Sequence, residues 1–424
     1  MEDILSIVCI CRNEGLIIQR FFDSIHQHFG NNIEVVIVDT GSTDDSVQIA
    51  RRNGAKVIEV GERFAWEYDV KSAMYVNSVT EVQLVRPGDR VFFFDQARNE
   101  ATKHATKEWC LSLDIAQVIR HLNIDKLRQQ LLNPDVDVYM YDLFLYDFKL
   151  STSRIYRRNV CVWRYPVHEV IIGKTHATTD AMTVAHIRKD NDSKNYTPML
   201  AYMYFLWKRV DPKDGARLEF YFAREMMKKH PVQARKYLER VIARTDNWVK
   251  ERSEAHCFLA ENYTPDNDPN WSHKRRLEYT KALSVFPAWR RPYMGLCQLC
   301  VEEKDWFTLL AYANQALTIP EQGLPPLHIE DVKNYTTEPY RYKYIALLNI
   351  TIAYNNCGMN ALNIVEEYLT IEDRTGVPER MLIPGWEVAY KLFMKYTMPS
   401  RAMMYLKRLY KYSPTIWESE MKKY

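Results

Sequence analysis

The sequence predicts an α/β domain with a Rossmann-like, mixed sheet, followed by an all-α domain of stacked helix pairs. Three observations carry this. Short β-branched runs alternate with helical stretches over residues 1–60. From about Tyr196 the chain turns uniformly helical in pattern, rich in Ala, Leu, Tyr and Met. In that part Phe222-Ala223-Arg224-Glu225, Leu259-Ala260-Glu261-Asn262 and Leu296-Cys297-Gln298-Leu299 recur at 37-residue spacing. Strands alternating with helices build a largely parallel sheet through crossover connections. Repeated helix pairs stack because no single pair can bury its own apolar face.

Leu5–Cys11 reads as a strand buried on both faces, followed by the turn Arg12-Asn13-Glu14-Gly15. A helix is expected over Leu16–His28, with Ile17, Phe21, Ile25 and Phe29 at helical spacing. Ile33–Val38 is the second strand and ends at Asp39. A turn then leads to a helix over Asp45–Asn53, with Asp44 or Asp45 as its N-cap, and Lys56–Val60 is a third strand. Phe64–Asp89 is long for an α/β connection, so residues 64–90 read as an inserted loop or small hairpin. Asp95–Lys107 returns as a helix and Trp109–Leu113 as a strand. Val136–Tyr146, Arg154–Tyr156 and Met182–His186 are further strands, the first two antiparallel.

The all-helical part continues each repeated motif with a second helix, at Ala234–Ala243, Lys274–Leu283 and Thr308–Leu317. Pro287, Pro320 and Pro414 end units, and two more pairs are expected near Tyr344–Thr370 and Trp386–Tyr412, after the stretch Ile319–Pro339. Pairs at this period resemble tetratricopeptide-like repeats. The domains are accordingly drawn at 1–195 and 196–424.

Composition sets bounds. At 424 residues, 47% hydrophobic and 26% charged, the chain is long enough for two or three domains with a sizeable core. No stretch approaches the roughly 18 uncharged apolar residues of a membrane span. The start, MEDILSIVCICRNEG, is acidic and strand-like rather than a secretory signal. Eight cysteines scattered through strands and helices fit reduced thiols, hence a cytoplasmic location. The Asn-x-Ser/Thr triplets at Asn191, Asn195, Asn262, Asn270, Asn334 and Asn349 are then expected to carry no glycan. The net charge of +3 divides unevenly: residues 1–200 hold 24 Lys+Arg against 27 Asp+Glu, and 201–424 hold 33 against 27. An anionic partner of the second half and solvated helix faces explain this equally well.

Chemistry-bearing residues gather at strand ends, where α/β sheets bind ligands. Asp39 can accept a hydrogen bond from a uracil N–H or a ribose hydroxyl, or it can cap the following turn. Arg98 and Asn99 are expected to begin a helix, where free N–H groups and an arginine fork suit a diphosphate. Asp114 lies just past the next strand. With IEVVIVDTGSTDDS at 33–46 and VFFFDQARNEATKHATKEWCLSLDIAQ at 91–117, the chain resembles the family-2, GT-A-fold glycosyltransferases.

That resemblance implies transfer of a sugar from a nucleotide donor, a UDP-sugar above all, to a glycan, a peptide or a modified DNA base. It implies Asn13, Glu14, Asp39, Asp95, Arg98 and Asn99 as donor-binding residues. It also implies a divalent metal, Mn²⁺ or Mg²⁺, held on the diphosphate by an Asp-x-Asp motif, here Asp114-Ile115-Ala116, and by His186. The second carboxylate of that motif is missing at Ala116. Other ligands, a metal-independent reaction or an alteration of the chain at this position would each account for it.

Tyr165-Pro166-Val167-His168-Glu169 resembles the "VHE" segment of family-2 transferases that carry helical repeats, peptide S-glycosyltransferases among them. By that resemblance Glu169 is the general base of an inverting transfer, with Asp114 the other catalytic carboxylate. A salt bridge from Glu169 to Arg164 or Arg158 is the structural alternative. Cys297 and Cys300 read as core packing rather than a zinc site. The run Trp289-Arg290-Arg291-Pro292-Tyr293, with Lys274-Arg275-Arg276, could meet nucleic-acid phosphates or be a solvated face between repeats. A catalytically dead repeat scaffold is the competing reading of the whole chain.

Overall fold

The structure is a computed structural model that describes residues 1–145, 148–187, 195–207, 212–245, 249–319, 339–372 and 379–412. Pro320, Pro414, Asn191, Asn334 and most of the Ile319–Pro339 stretch lie outside them. The chain divides into two compact units, one formed by Met1–Asn247 and the other by the described residues from Val249 onward.

In the first unit the described residues form an eight-stranded mixed sheet. Its strands are β1 (Leu5–Cys11), β2 (Glu34–Asp39), β3 (Lys56–Glu59), β6 (Trp109–Ser112), β7 (Gln117–Leu122), β8 (Val138–Leu145), β9 (Phe148–Arg157) and β12 (His176–His186). They run in the order β3-β2-β1-β6-β9-β8-β12-β7. β3, β2, β1 and β6 are parallel neighbours, and β9 runs antiparallel to β6. The period-2 alternation of side chains divides the core. Leu5, Ile7, Cys9, Val35 and Ile37 join α1 (Ile18–Phe29) in one cluster, while Val8, Val36 and Val38 join α4 (Phe94–His104) in another. Phe21 and Phe22 of α1 are fully buried, each contributing about 2–3 kcal/mol. On α4 the residues turned to the sheet are Ala97 and Ala101, small enough to let the helix lie close.

The segment 64–90 is more than a loop or hairpin. β4 (Ala65–Glu67) and β5 (Arg90–Phe92) pair antiparallel around a helix, α3 (Val70–Thr80), capped by Asp69 accepting from the Ser72 N–H at 2.7 Å. β7 and the short helix α5 (Ile124–Leu131) were not expected from the sequence. α5 is two turns long with only Leu127 and Leu131 buried, too brief for a periodic signal. The strand around Arg154 is longer than expected, spanning Phe148–Arg157, and β12 starts six residues before Met182.

Helices begin at Thr197, close to where the sequence texture changes. Those over 197–243 belong to the first unit: α6 (Thr197–Ala201), a π-helical turn at Tyr202–Leu206, α7 (Pro212–Met227) and α8 (Pro231–Ala243). The second unit packs helix pairs in the expected manner: α9 (Val249–Asn262) on α10 (Trp271–Val285), then α11 (Arg290–Glu303) on α12 (Trp306–Thr318). They are followed by α13 (Pro339–Asn356) on α14 (Leu362–Glu372), and α15 (Glu379–Lys395) on α16 (Pro399–Tyr412). Gly295 is required where α11 meets α10, since a Cβ there would lie 2.1 Å from the Tyr279 ring. Cys297 and Cys300 are fully buried beside Leu309, Ala313 and Ile350, which is core packing. All eight cysteines are free thiols. Among the described residues no helix is long and apolar enough to cross a membrane.

Candidate functional site

A cavity of about 780 Å³ opens in the first unit where β1, β6 and β12 end. Two turns shape its floor. The turn after β1 is knitted to the turn after β2: Asn13 N–H donates to Ser42 Oγ (2.9 Å), Glu14 N–H to Ser46 Oγ (2.7 Å) and Gly15 N–H to Asp44 Oδ2 (2.8 Å). Gly15 has no room for a side chain, because a Cβ would meet that same carboxylate oxygen at 2.8 Å. Asn13 and Glu14 line the cavity.

Asp39 caps its turn with one carboxylate oxygen and leaves the other without a partner among the described residues. Its Oδ2 accepts from the N–H groups of Gly41 (3.1 Å) and Ser42 (3.0 Å), so it does cap the turn. Its Oδ1 is buried and has no hydrogen-bond partner among the described residues. An orphaned carboxylate oxygen is costly unless something donates to it; Asp39 itself does not line the cavity, but its neighbour Thr40 does. Asp45 occupies the N-cap position of α2 (Ser46–Arg52) without a side-chain bond. Asp44 instead accepts from Ser46 N–H at 3.0 Å.

The centre of the site is Arg98, 4% exposed. Its Nε donates to Glu169 Oε1 at 2.9 Å, its Nη1 to Ser112 Oγ at 3.1 Å and its Nη2 to Asp114 Oδ1 at 2.7 Å. One buried guanidinium thus ties together the two carboxylates expected to be catalytic. Burial works against the charge of Asp114, yet Arg98 and Arg154, with His186 near, hold its carboxyl well below the usual range. The alternative salt bridge of Glu169 to Arg164 or Arg158 is replaced by this one to Arg98.

The segment presenting Glu169 is strained. Tyr165 and His168 both have positive φ, 79° and 54°, a region non-glycine residues adopt at a cost of about 1–2 kcal/mol each. The packing of α7 against it offsets that cost. Tyr221 stacks on His168 with ring centroids 4.4 Å apart, and Arg224 Nη2 donates to His168 Nε2 at 3.3 Å. Burial, then Arg224 and Arg217, push His168 down to about 3, so it is a neutral ring accepting through Nε2.

Two expectations need correction. Arg98 and Asn99 do not begin a helix; α4 starts at Phe94, and both lie in its second turn. Asn99 does not face the cavity either. Its side-chain amide donates to Trp163 O (2.9 Å) and accepts from Trp163 N–H (2.9 Å), clamping β10 (Val162–Arg164) to α4. Asp95, in the first turn of α4, is buried behind the cavity wall with Oδ1 unpartnered among the described residues. Burial, helped by Glu169, pushes its carboxyl up to about 6.

Arginines missed from the sequence complete the site. Arg12 and Arg90 line the cavity and share Glu62, Arg12 at 2.8 Å. Arg154 also lines it, with Nη2 3.7 Å from Asp114 Oδ2. The signal was present: a lone arginine beside Ile155 and Tyr156, which are wholly buried in β9.

The residues present do not fit a resident divalent ion. Such an ion wants several oxygen ligands at close range. Ala116 offers none, Asp114 is taken up by two guanidiniums and Glu169 by Arg98. Among the described residues no three His, Cys, Asp or Glu side chains converge on one point.

The basic run of the second unit is occupied internally. Arg291 pairs with Glu254 and with Glu261 (2.8 Å), Arg276 with Glu303, and Lys274 with Asp268 at 2.5 Å. Arg275 donates to Tyr263 O at 2.8 Å.

The cavity thus lies at strand ends of a mixed α/β sheet, the place where such sheets bind ligands. The glycosyl transferase family 2 model matches residues 6–68, which run from β1 through β4 and include Asp39 and both floor turns. Residues 6–68 are thus similar to glycosyl transferase family 2, and helix pairs follow later in the chain. No match was found among curated proteins. Among solved structures, S. aureus TarS residues 1–349 in complex with UDP-GlcNAc is 14% identical, with 79% of this chain and 96% of that one covered and a TM-score of 0.33. A chain of the APC/C hetero-tetramer Cut9-Hcn1 is 14% identical, with 50% of this chain and 36% of that one covered and a TM-score of 0.36. Glucosyl-3-phosphoglycerate synthase from Mycobacterium tuberculosis is 19% identical, with 33% and 44% covered and a TM-score of 0.22. This chain spans about a third of the Cut9-Hcn1 chain and about half, 53%, of the longer TarS chain. At these TM-scores no residue role carries over from them.

Proposed function

We propose that the first unit transfers a sugar from a nucleotide-sugar donor to an acceptor with inversion at the anomeric carbon. The observation that carries this is the pairing of Glu169 and Asp114 on one buried guanidinium, inside a cavity whose floor lies in the family-2 segment. Glu169 serves as the base: the acceptor oxygen or sulfur attacks the anomeric carbon, its proton passes to the Glu169 carboxylate, and the bond to the diphosphate breaks. Arg98 orients that carboxylate through Oε1. Asp39, with its orphaned Oδ1, takes a nucleoside N–H or hydroxyl, and a UDP-sugar is the donor of choice for such an acceptor atom. The acceptor is a glycan or peptide. A DNA acceptor is disfavoured, because the basic residues that would meet phosphates are already paired with carboxylates.

The test is a mass-spectrometric screen of nucleotide sugars for turnover, with the parent chain and Glu169→Gln side by side. Loss of a general base costs about 10²–10⁴-fold. Turnover in the parent and a loss of that size in the variant are expected; equal rates would remove Glu169 from the role. The competing reading, a binding protein without turnover, is favoured by Ala116 alone. Donor binding with no product from any nucleotide sugar would establish it.

A further inference from the structure

Where the donor's diphosphate would lie, the described residues supply arginine in place of metal ligands. The register of the sheet puts it there. β9 runs antiparallel to β6 with Leu111 opposite Ile155, so Arg154 falls level with Ser112 at the end of β6, beside Asp114. Its guanidinium and that of Arg98 both lie over the Trp163 ring, with their Cζ atoms 5.2 Å and 5.0 Å from its centroid. Arg98 is used up on Glu169, Ser112 and Asp114. Arg154 is not: Nη1 is buried and has no hydrogen-bond partner among the described residues, while the side chain as a whole keeps 16% of its surface on the cavity. A buried guanidinium N–H without an acceptor is costly, and a phosphate oxygen satisfies it with a charge-assisted bond. A divalent ion on Asp114 would meet two positive charges and find no second carboxylate at Ala116.

We propose that Arg154 binds the diphosphate of the donor directly and stabilises its departure, so that donor binding and transfer need no divalent metal. This rests on the nucleotide-sugar reading above. In the transfer step the bond between the anomeric carbon and the diphosphate oxygen breaks and its electron pair stays on that oxygen. Arg154 donates hydrogen bonds to the growing negative charge and no proton leaves it. Arg98 stands behind as the group that holds Asp114 ionised next to Arg154, which fixes the fork for a planar, two-pronged contact.

The experiment is calorimetric binding of UDP and of inorganic pyrophosphate to the full chain, once with a chelator and once with Mn²⁺. It is repeated with Arg154→Gln and Arg154→Lys. Both probes should bind in chelator as tightly as in Mn²⁺. The Gln variant should lose roughly tenfold to a hundredfold in affinity, as expected when a charge-assisted bond to phosphate is removed. The Lys variant, a point charge without the fork, should fall between. Binding of both probes only after Mn²⁺ is added overturns the proposal and leaves the transferase reading standing. Undiminished binding by a folded Gln variant also overturns it, and the parent comparison decides the matter if that variant does not fold. Failure of both probes with and without metal removes the proposal and the nucleotide-sugar reading together.

Discussion

Asp95 shows what a buried carboxyl does to the pH response of the fold. Its carboxyl is pushed up to about 6, first by burial and then by Glu169. A raised value means that the folded chain holds this proton more tightly than the unfolded chain, whose Asp titrates near 3.9. The stability it contributes is full below about pH 4 and is lost as the pH rises through 6. Asp95→Asn cannot ionise, so it should be more stable than the parent at pH 8, by about 1–2 kcal/mol, and no more stable at pH 4. Denaturant midpoints of the two chains at the two pH values measure this; an equal gain at both would show that charge is not the cause. Legibility at this scale was uneven. Asp39 and Asp114 stand out because each is a carboxylate at the end of an apolar run, whereas Glu169 stands out only through the resemblance of its VHE segment. Arg98 was visible, but its task was not: the sequence cannot show that its fork is filled by two carboxylates from distant segments. Arg154 was passed over because an isolated charge inside a strand reads as a solvent-facing position until its neighbours in the sheet are known.

The element that most shapes the site is the strained turn holding Glu169, and its support comes from outside the sheet. Two positive-φ residues, Tyr165 and His168, are held by α7 through the Tyr221 stack and the Arg224 hydrogen bond. Tyr221→Ala removes a stacked ring worth about 0.5–1.5 kcal/mol beyond its buried area. The turn should then relax, moving Glu169 while leaving the floor turns around Asn13 and Asp39 untouched. Transfer should fall by roughly tenfold or more, as expected for a misplaced reacting group, with UDP affinity unchanged. If both fall together, the turn also carries the donor. The parallel strands and α1 were legible because their apolar residues follow one clean period. The helix inside 64–90 was not, since α3 buries Ala73, Val76 and Thr80 but leaves Val70, Met74 and Val79 exposed, so its apolar residues mark no one face.

At the scale of the whole molecule, the change of sequence texture and the end of the first unit fall at different places. Strands stop at His186 and helices begin at Thr197, yet the first unit runs to Asn247. The reason is in the contacts. Tyr68 donates to Pro198 O at 3.0 Å, Tyr202 packs on Trp66 (4.8 Å) and Phe93 (5.4 Å), and Lys236 pairs with Glu81 at 3.0 Å. The inserted segment 64–90 and the first helices therefore bury one another, and Tyr196 lines the cavity itself. A fragment of residues 1–247 keeps all of these contacts. It should melt in one cooperative transition and bind UDP as the full chain does. A fragment ending at Lys194 leaves Tyr68, now 2% exposed, and Trp66 facing water and removes the support of His168. Uncovering aromatic surface of that size costs several kcal/mol and leaves an apolar patch prone to association. The shorter fragment should aggregate or melt well below the longer one. Size-exclusion profiles and thermal melts of the two decide it. A monomeric 1–194 fragment with the stability and UDP affinity of 1–247 would mean that the early helices are not part of the unit that binds the donor.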